Sequence, residues 1–231
     1  MRIKSHIPNL LTSCNLLSGC LSVVSSFNGN PDVAFYWILA GLAFDFADGF
    51  VARLLSVSSS IGKELDSLAD CITFGLAPAC FLIPPLKSSV LVAHFPFIIY
   101  FPFIITVFSA IRLAKFNIDT RQSDSFIGLP TPANALFCFS LPEVFEKIAQ
   151  YVKVDFAWVI PILIFQSYLM NAELPLLALK FKHFSWKGNE TRYGLIFISI
   201  VSILLAGKMA IPVIILAYVL LSAISSLRTA K

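Results

Sequence analysis

Residues 32–55 read DVAFYWILAGLAFDFADGFVARLL. A bilayer-spanning helix needs about 20 mostly apolar residues, and this run supplies them. It ends on Arg53, the kind of residue that stops at a headgroup layer. Yet the run also carries Asp45 and Asp48, which an ordinary lipid-facing helix excludes. The first feature points to a membrane protein. The second points to chemistry inside it.

The rest of the chain agrees with the first point. Of its 231 residues, 58% are hydrophobic and 13% charged, and mean hydropathy is +0.84. A soluble domain carries roughly 25% charged residues, so this chain cannot cover itself with a water-facing surface. Disorder is excluded by the same apolar content. Cys14, Cys20, Cys71, Cys80 and Cys138 are odd in number, lie in apolar stretches and form no CxxC pair. They read as small hydrophobes rather than a disulfide or zinc framework.

Apolar runs broken by Pro, Gly, Asn and charge predict an all-α integral membrane protein of about eight helices. They are placed at 8–28, 32–55, 62–84, 90–115, 131–149, 155–179, 192–206 and 209–228. The last pair forms a tight hairpin at Gly207-Lys208 that is either two spans or re-entrant, which leaves six or seven spans open. With the N-terminus inside, only Lys87, Lys147, Lys153 and Lys208 fall in outer loops, and the other 13 of the 17 basic residues fall on the cytoplasmic side. That asymmetry predicts cytoplasmic termini. The opening MRIKSH lacks a clean apolar core and a cleavage site, so residues 1–7 read as an interfacial segment with Arg2 and Lys4 near headgroups. Residues 1–231 then form a single membrane domain. Residues 8–115 are its catalytic helices, 116–149 a substrate loop with the fifth span, and 155–228 the C-terminal helices.

The acidic residues carry the second point. Asp45 and Asp48 are i and i+3, Asp66 and Asp70 are i and i+4, and both pairs lie within predicted spans. An ionised Asp at the bilayer centre costs about 2.5–3.5 kcal/mol, so four would cost on the order of 10 kcal/mol. Asp48 precedes Arg53 by five residues, about 7.5 Å of helix rise, which sets the group just below the cytoplasmic surface. Gly49 and Ala52 share the stripe of Asp45 and Asp48, and Gly62 lies one turn before Asp66. Two adjacent helices can therefore face two carboxylate pairs toward each other, with small residues leaving room beside them. Only Arg53 and Lys63 lie nearby in sequence, too few cations for four acids. Hard divalent cations such as Mg²⁺ or Mn²⁺ suit such oxygens and bridge phosphates.

Written out, the group is Asp45-x2-Asp48-Gly49-x2-Ala52-Arg53-x8-Gly62-x3-Asp66-x3-Asp70. It resembles the complete signature of the CDP-alcohol phosphotransferases, matched at every fixed position and gap. Ile7-Pro8-Asn9-Leu10-Leu11-Thr12, Gly62 to Asp70, Phe74-Gly75-Leu76-Ala77-Pro78, Arg112 to Asn117 and Phe126 to Pro132 are similar to the family's bacterial membrane members that use CDP-diacylglycerol and L-serine. The likeness covers roughly residues 5–140, and the last four spans match only in general character.

The resemblance implies transfer of a phosphatidyl group from CDP-diacylglycerol to serine's hydroxyl with release of CMP. It implies two divalent ions on Asp45, Asp48, Asp66 and Asp70, with Asp70 as general base. Deprotonation without a dedicated base fits the residues equally well. It places Asn9, Thr12, Asp48, Gly49, Ala52, Arg53 and Gly62 against the CDP moiety. Asn9 and Thr12 can also be read as helix caps. Arg112, Lys115, Asn117, Arg121 and Thr131 are candidates for the lipid phosphate or for serine, since Arg matches carboxylate and phosphate with a two-pronged donor. The alternative for the basic residues is anchoring at the membrane surface. The family likeness also implies a homodimer in the cytoplasmic membrane with the site facing the cytoplasm, in contact with membrane lipids and no nucleic acid. His94 reads as structural, and His6 and His183 as interfacial.

Two other readings compete. A phosphorylated acceptor such as glycerol 3-phosphate or an inositol phosphate would favour a denser basic pocket. An ion-coupled transporter would account for intramembrane acids, but gives no reason for the x8 gap, and no repeat relates the two halves.

Overall fold

The computed structural model describes residues 6–57, 59–119, 126–176 and 190–229. Ten α-helices account for most of them. They are α1 (His6–Phe27), α2 (Pro31–Leu54), α3 (Ser60–Asp70), α4 (Ala77–Lys87), α5 (Val90–His94), α6 (Phe103–Ile118), α7 (Thr131–Ala149), α8 (Val159–Asn171), α9 (Glu190–Ala206) and α10 (Ile211–Thr229). Five helical stretches among the described residues are long and apolar enough to cross a membrane: His6–Phe27, Pro31–Leu54, Ser60–Lys87, Pro96–Ile118 and Arg192–Ser222. Phe156–Asn171 is apolar but shorter. The chain is a multi-pass, all-α membrane bundle, as its composition predicts.

The first helix is built inside out. Its buried residues are Pro8, Thr12, Asn15, Ser18, Gly19, Ser22 and Ser26, whereas Leu10, Leu17 and Val24 are exposed. In hydrocarbon the apolar face needs no burial, and small or hydroxylated residues let backbones approach closely. Ser22 donates to the Ala34 carbonyl of α2 at 2.9 Å. A Cβ on Gly19 would lie 2.7 Å from the Thr73 Cα, and one on Gly41 would lie 2.6 Å from the Thr73 side chain. Three helical segments therefore meet at Thr73, and glycine is what lets them.

Proline sets several boundaries. Pro31 opens α2 with its fixed φ, and Asp32 complements the dipole of the first turn. The link from α2 to α3 passes through Ser56 at φ 51°. Ser59 then caps α3, accepting from the Gly62 N–H at 2.9 Å. Between α3 and α4 the helix widens into a π-turn, Cys71–Leu76. Pro78 has no N–H to give Phe74, and the bonding shifts to the wider spacing, with Ala77 donating to Ile72.

The predicted spans differ from the observed helices in two places. The 90–115 run is divided into α5, a 3-10 turn at Pro96–Tyr100 and α6, because Pro96 and Pro102 cannot continue the helical bonding. The 155–179 run stops at Asn171. Beyond it Pro175–Leu176 pairs antiparallel with Phe126–Ile127, and the pairing continues as Gly128 N–H to Leu174 C=O at 3.0 Å. Gly128 holds φ 75° with its Cα against the Met170 carbonyl, a conformation and an approach that favour glycine.

The apolar core lies among α2, α4, α6, α7 and α8. Phe81 and Phe139 stack with ring centres 4.1 Å apart, and Leu82, Ile105 and Leu163 are fully buried beside them. The final two helices turn back on each other at Gly207 (φ 54°), and Leu195 and Ile203 share a cavity wall with Ile214 and Tyr218. Lys208 in that turn bridges Asp32 and Glu143, 2.9 Å from each. The start of α2, the end of α7 and the hairpin tip thus share one end of the bundle. Lys63, bonded to the Asn117 carbonyl at 2.7 Å, marks the other.

Candidate active site

Asp45 and Asp48 project from α2, and Asp66 and Asp70 from α3, as their helical spacing predicts. Oxygen atoms of Asp45, Asp48 and Asp66 all lie within 4.8 Å of one another. Asp48 is 6% exposed, while Asp45 and Asp66 are half-buried. Such a trio repels itself strongly, and no Lys or Arg among the described residues forms an ion pair with it. Asp66 Oδ1 is buried with no hydrogen-bond donor. Three converging hard oxygens, one of them without a partner, fit a divalent cation.

Asp70 stands one turn beyond this trio and is held differently. Asn15 of α1 donates to its Oδ1 at 3.0 Å, and Asn15 itself is completely buried. Thr73 fixes Asn15 in turn, donating to its backbone carbonyl at 2.9 Å. Gly41 makes room for the side-chain oxygen of Asn15, Oδ1, which a Cβ would meet at 3.1 Å. Arg112 of α6, 8% exposed, lies within electrostatic reach of Asp70. Asn15 was missed as a site residue in the sequence. Its signal is the stripe Pro8, Thr12, Asn15, Gly19, Ser22, Ser26, a small-residue repeat in an apolar helix.

A cavity of about 350 Å³ adjoins the trio, lined by Asn9, Thr12, Asp48, Gly49, Ala52, Gly62 and Asp66 among others. Thr12 donates to Asp48 Oδ2 at 2.5 Å, tying α1 to α2 at its floor. The two glycines serve different ends. A Cβ on Gly62 would meet Ser59 Oγ and Asn9 Oδ1 at 2.8 and 2.9 Å, whereas one on Gly49 would meet nothing within 4 Å. Gly62 lets α1 pack closely. Gly49 leaves space that belongs to whatever fills the cavity. Of the residues expected there, Arg53 alone stands apart, exposed and donating to its own helix at Gly49 C=O, 2.9 Å.

A second cavity, about 390 Å³, is bordered by Arg112, Lys115, Asp119, Asn171 and Glu173. The other residues expected to contact serine or phosphate divide. Asn117 donates to Ser67 Oγ at 2.8 Å and thereby joins α6 to α3. Thr131 is buried at the start of α7 and borders neither cavity. Arg121 lies outside the described residues, as do Arg2, Lys4 and His183. His94 is exposed, with Nδ1 2.9 Å from the Val90 carbonyl.

Comparison with known proteins agrees with this arrangement. The profile of the family described as CDP-alcohol phosphatidyltransferase matches residues 5–179. The chain is 38% identical over 129 residues to the CDP-diacylglycerol–serine O-phosphatidyltransferase of Bacillus subtilis (strain 168), covering 55% of this chain and 70% of that protein. It is 39% identical over 138 residues to the enzyme of the same name from Helicobacter pylori (strain 26695), covering 56% and 54%. An archaetidylserine synthase from Methanothermobacter thermautotrophicus is 35% identical over 132 residues, covering 56% and 54%. The chain thus spans about half the length of the latter two.

Proposed function

The chain belongs to the CDP-alcohol phosphatidyltransferase family, and on that premise we propose that it transfers the phosphatidyl group of CDP-diacylglycerol to L-serine, releasing CMP. The observation that carries this reading is the carboxylate trio beside a cavity whose wall is opened by Gly49. Relatives named for this reaction support serine as the acceptor.

In this mechanism Asn9, Thr12, Gly49, Ala52 and Gly62 hold the nucleotide in the first cavity, with Arg53 at its edge. Asp45, Asp48 and Asp66, completed by Asp70, would hold the divalent cation, Mg²⁺ or Mn²⁺, with two ions in the full complex. Bound there, a metal would supply positive charge to offset the diphosphate and the charge that develops on the departing CMP. The seryl hydroxyl attacks the phosphorus that bears diacylglycerol. A P–O bond to serine forms, the P–O bond to CMP breaks, and the hydroxyl proton passes to Asp70. Asn15 fixes one oxygen of Asp70, so the carboxylate keeps one orientation toward the incoming hydroxyl. Arg112 lies within electrostatic reach of Asp70 and binds an anionic group of a substrate. The enzyme works as a homodimer in the inner membrane with this end of the bundle facing the cytoplasm, where serine and CMP are soluble.

The test is an acceptor screen in detergent with CDP-diacylglycerol and Mn²⁺ or Mg²⁺, read as CMP release. Serine-dependent release that a chelator removes is expected. Release with glycerol 3-phosphate or an inositol phosphate instead would keep the donor reaction and overturn the acceptor.

A further inference from the structure

Helix α3, continued by its π-turn, meets α6 at two levels. At the level farther from Lys63, Thr106 donates to the Gly75 carbonyl at 3.1 Å. A Cβ on Gly75 would lie 3.0 Å from the Ser109 Cβ, so glycine lets the two backbones approach there. At the other level the helices are joined through side chains. Asn117 Nδ2 donates to Ser67 Oγ at 2.8 Å, and Lys63 Nζ donates to the Asn117 carbonyl at 2.7 Å. Ser67 Oγ donates in turn to the Lys63 carbonyl at 3.3 Å, which closes the three residues into a ring.

The two levels match in spacing. Ser67 lies eight residues before Gly75, and Asn117 eight residues after Ser109. Eight residues of helix rise about 12 Å, so both helices cover the same distance between their contacts. Asp70 and Arg112 lie inside that interval, one on each helix. On α6, Arg112 and Asn117 stand to either side of Ser109, so a bond at Asn117 fixes rotation as well as distance. Arg112 is 8% exposed, its Nε has no hydrogen-bond partner, and it lies within electrostatic reach of Asp70. A guanidinium whose Nε no acceptor holds takes its aim from the helix that carries it.

We propose that Asn117, Ser67 and Lys63 are positioning residues whose ring sets the spacing and rotation of α6 against α3, and thereby aims Arg112 at the substrate beside Asp70. The proposal rests on the reading above, in which Arg112 binds an anionic group of a substrate, and adds what holds it in place. With the ring open, the contact at Gly75 becomes a pivot and the end of α6 swings. A displacement of about 1 Å in a group that orients substrate is already costly.

The experiment compares Ser67→Ala, Asn117→Ala, the two together, and Ser67→Thr in the full-length protein, each with and without Arg112→Ala. The readings are kcat, KM for serine, KM for CDP-diacylglycerol, and the melting temperature in detergent. Each alanine variant should raise the serine KM about three- to tenfold and leave that for CDP-diacylglycerol unchanged. The pair should raise it no further, because either change breaks the same bond. Ser67→Thr keeps the hydroxyl and should keep the serine KM. With Arg112→Ala in place, the same substitutions should move the serine KM by no more than about twofold.

A larger effect from Asn117→Ala than from Ser67→Ala would make Asn117 a direct substrate contact and overturn the proposal. Effects that multiply with that of Arg112→Ala would also overturn it, since the ring would then act elsewhere. So would a lowered melting temperature with the serine KM unchanged, the mark of a purely structural ring. Release of CMP with another acceptor but not with serine would overturn the serine reading alone. The same comparison made with that acceptor would then decide the ring by the same criteria.

Discussion

The two cavities are assembled in opposite ways. The first is drawn from one continuous stretch, Pro8 to Asp66, with most of its wall on three successive helices. The second joins the end of α6 and Ile127 to the end of α8, more than forty residues further along the chain. In the first, helical periodicity decides which side chains each helix turns toward the cavity. In the second, convergence waits on the β-pairing of Phe126–Ile127 with Pro175–Leu176 and on the bond from Leu129 N–H to the Leu169 carbonyl. Chemistry placed by a helix repeat is therefore robust to distant change, and chemistry placed by chain closure is not.

Substitutions can break that contrast or sharpen it. The largest effect is expected for Asp66→Asn, which takes one member from the trio. Turnover should fall roughly 10³-fold with the fold retained, checked by CMP release beside thermal melting in detergent. Asp70→Asn should act as severely on kcat, since the carboxylate that Asn15 orients is lost. A variant near normal activity would remove Asp70 from the chemistry.

Next comes Arg112→Ala in the second cavity. Its expected effect is a rise of about 10–100-fold in the apparent KM for serine, read from acceptor titrations. Unchanged kinetics would make Arg112 a packing residue beside Asp70 rather than a substrate contact. Gly49→Leu fills the first cavity from a position where a Cβ meets nothing. The KM for CDP-diacylglycerol should rise about tenfold with the melting temperature unmoved, the overpacking falling on the ligand alone. The smallest effect belongs to Lys208→Ala at the far end of the bundle. Its pairs with Asp32 and Glu143 are partly exposed, so a loss of about 0–1 kcal/mol in stability and none in activity is expected.

The same contrast explains what could be read from the sequence. The all-α membrane class and the facing of α2 and α3 follow from apolar run length and i, i+3, i+4 spacing, and the structure shows both. The two places where observed helices depart from the predicted runs lie at Pro96–Pro102 and beyond Asn171, where backbone bonding rather than hydropathy decides. Asn15 was legible only as an interruption, because its partner Asp70 is 55 positions away. Asn171 and Glu173 close an apolar run, and nothing local distinguishes them from ordinary polar loop residues. Asn117 shows the converse. Its position near Arg112 makes it a candidate substrate contact, and its bond to Ser67, 50 positions away, could not be read from local pattern.

The inverted burial of α1 bears on how this protein comes apart. A helix whose apolar residues already face hydrocarbon moves little greasy surface into water when it separates from its neighbours. The heat-capacity increment that makes the stability curves of soluble proteins arch depends on that exposure. Within a bilayer, detachment of α1 from α2 and Thr73 should therefore proceed with almost no such increment. Its free energy would change nearly linearly with temperature, and no cold-induced loss of packing would follow.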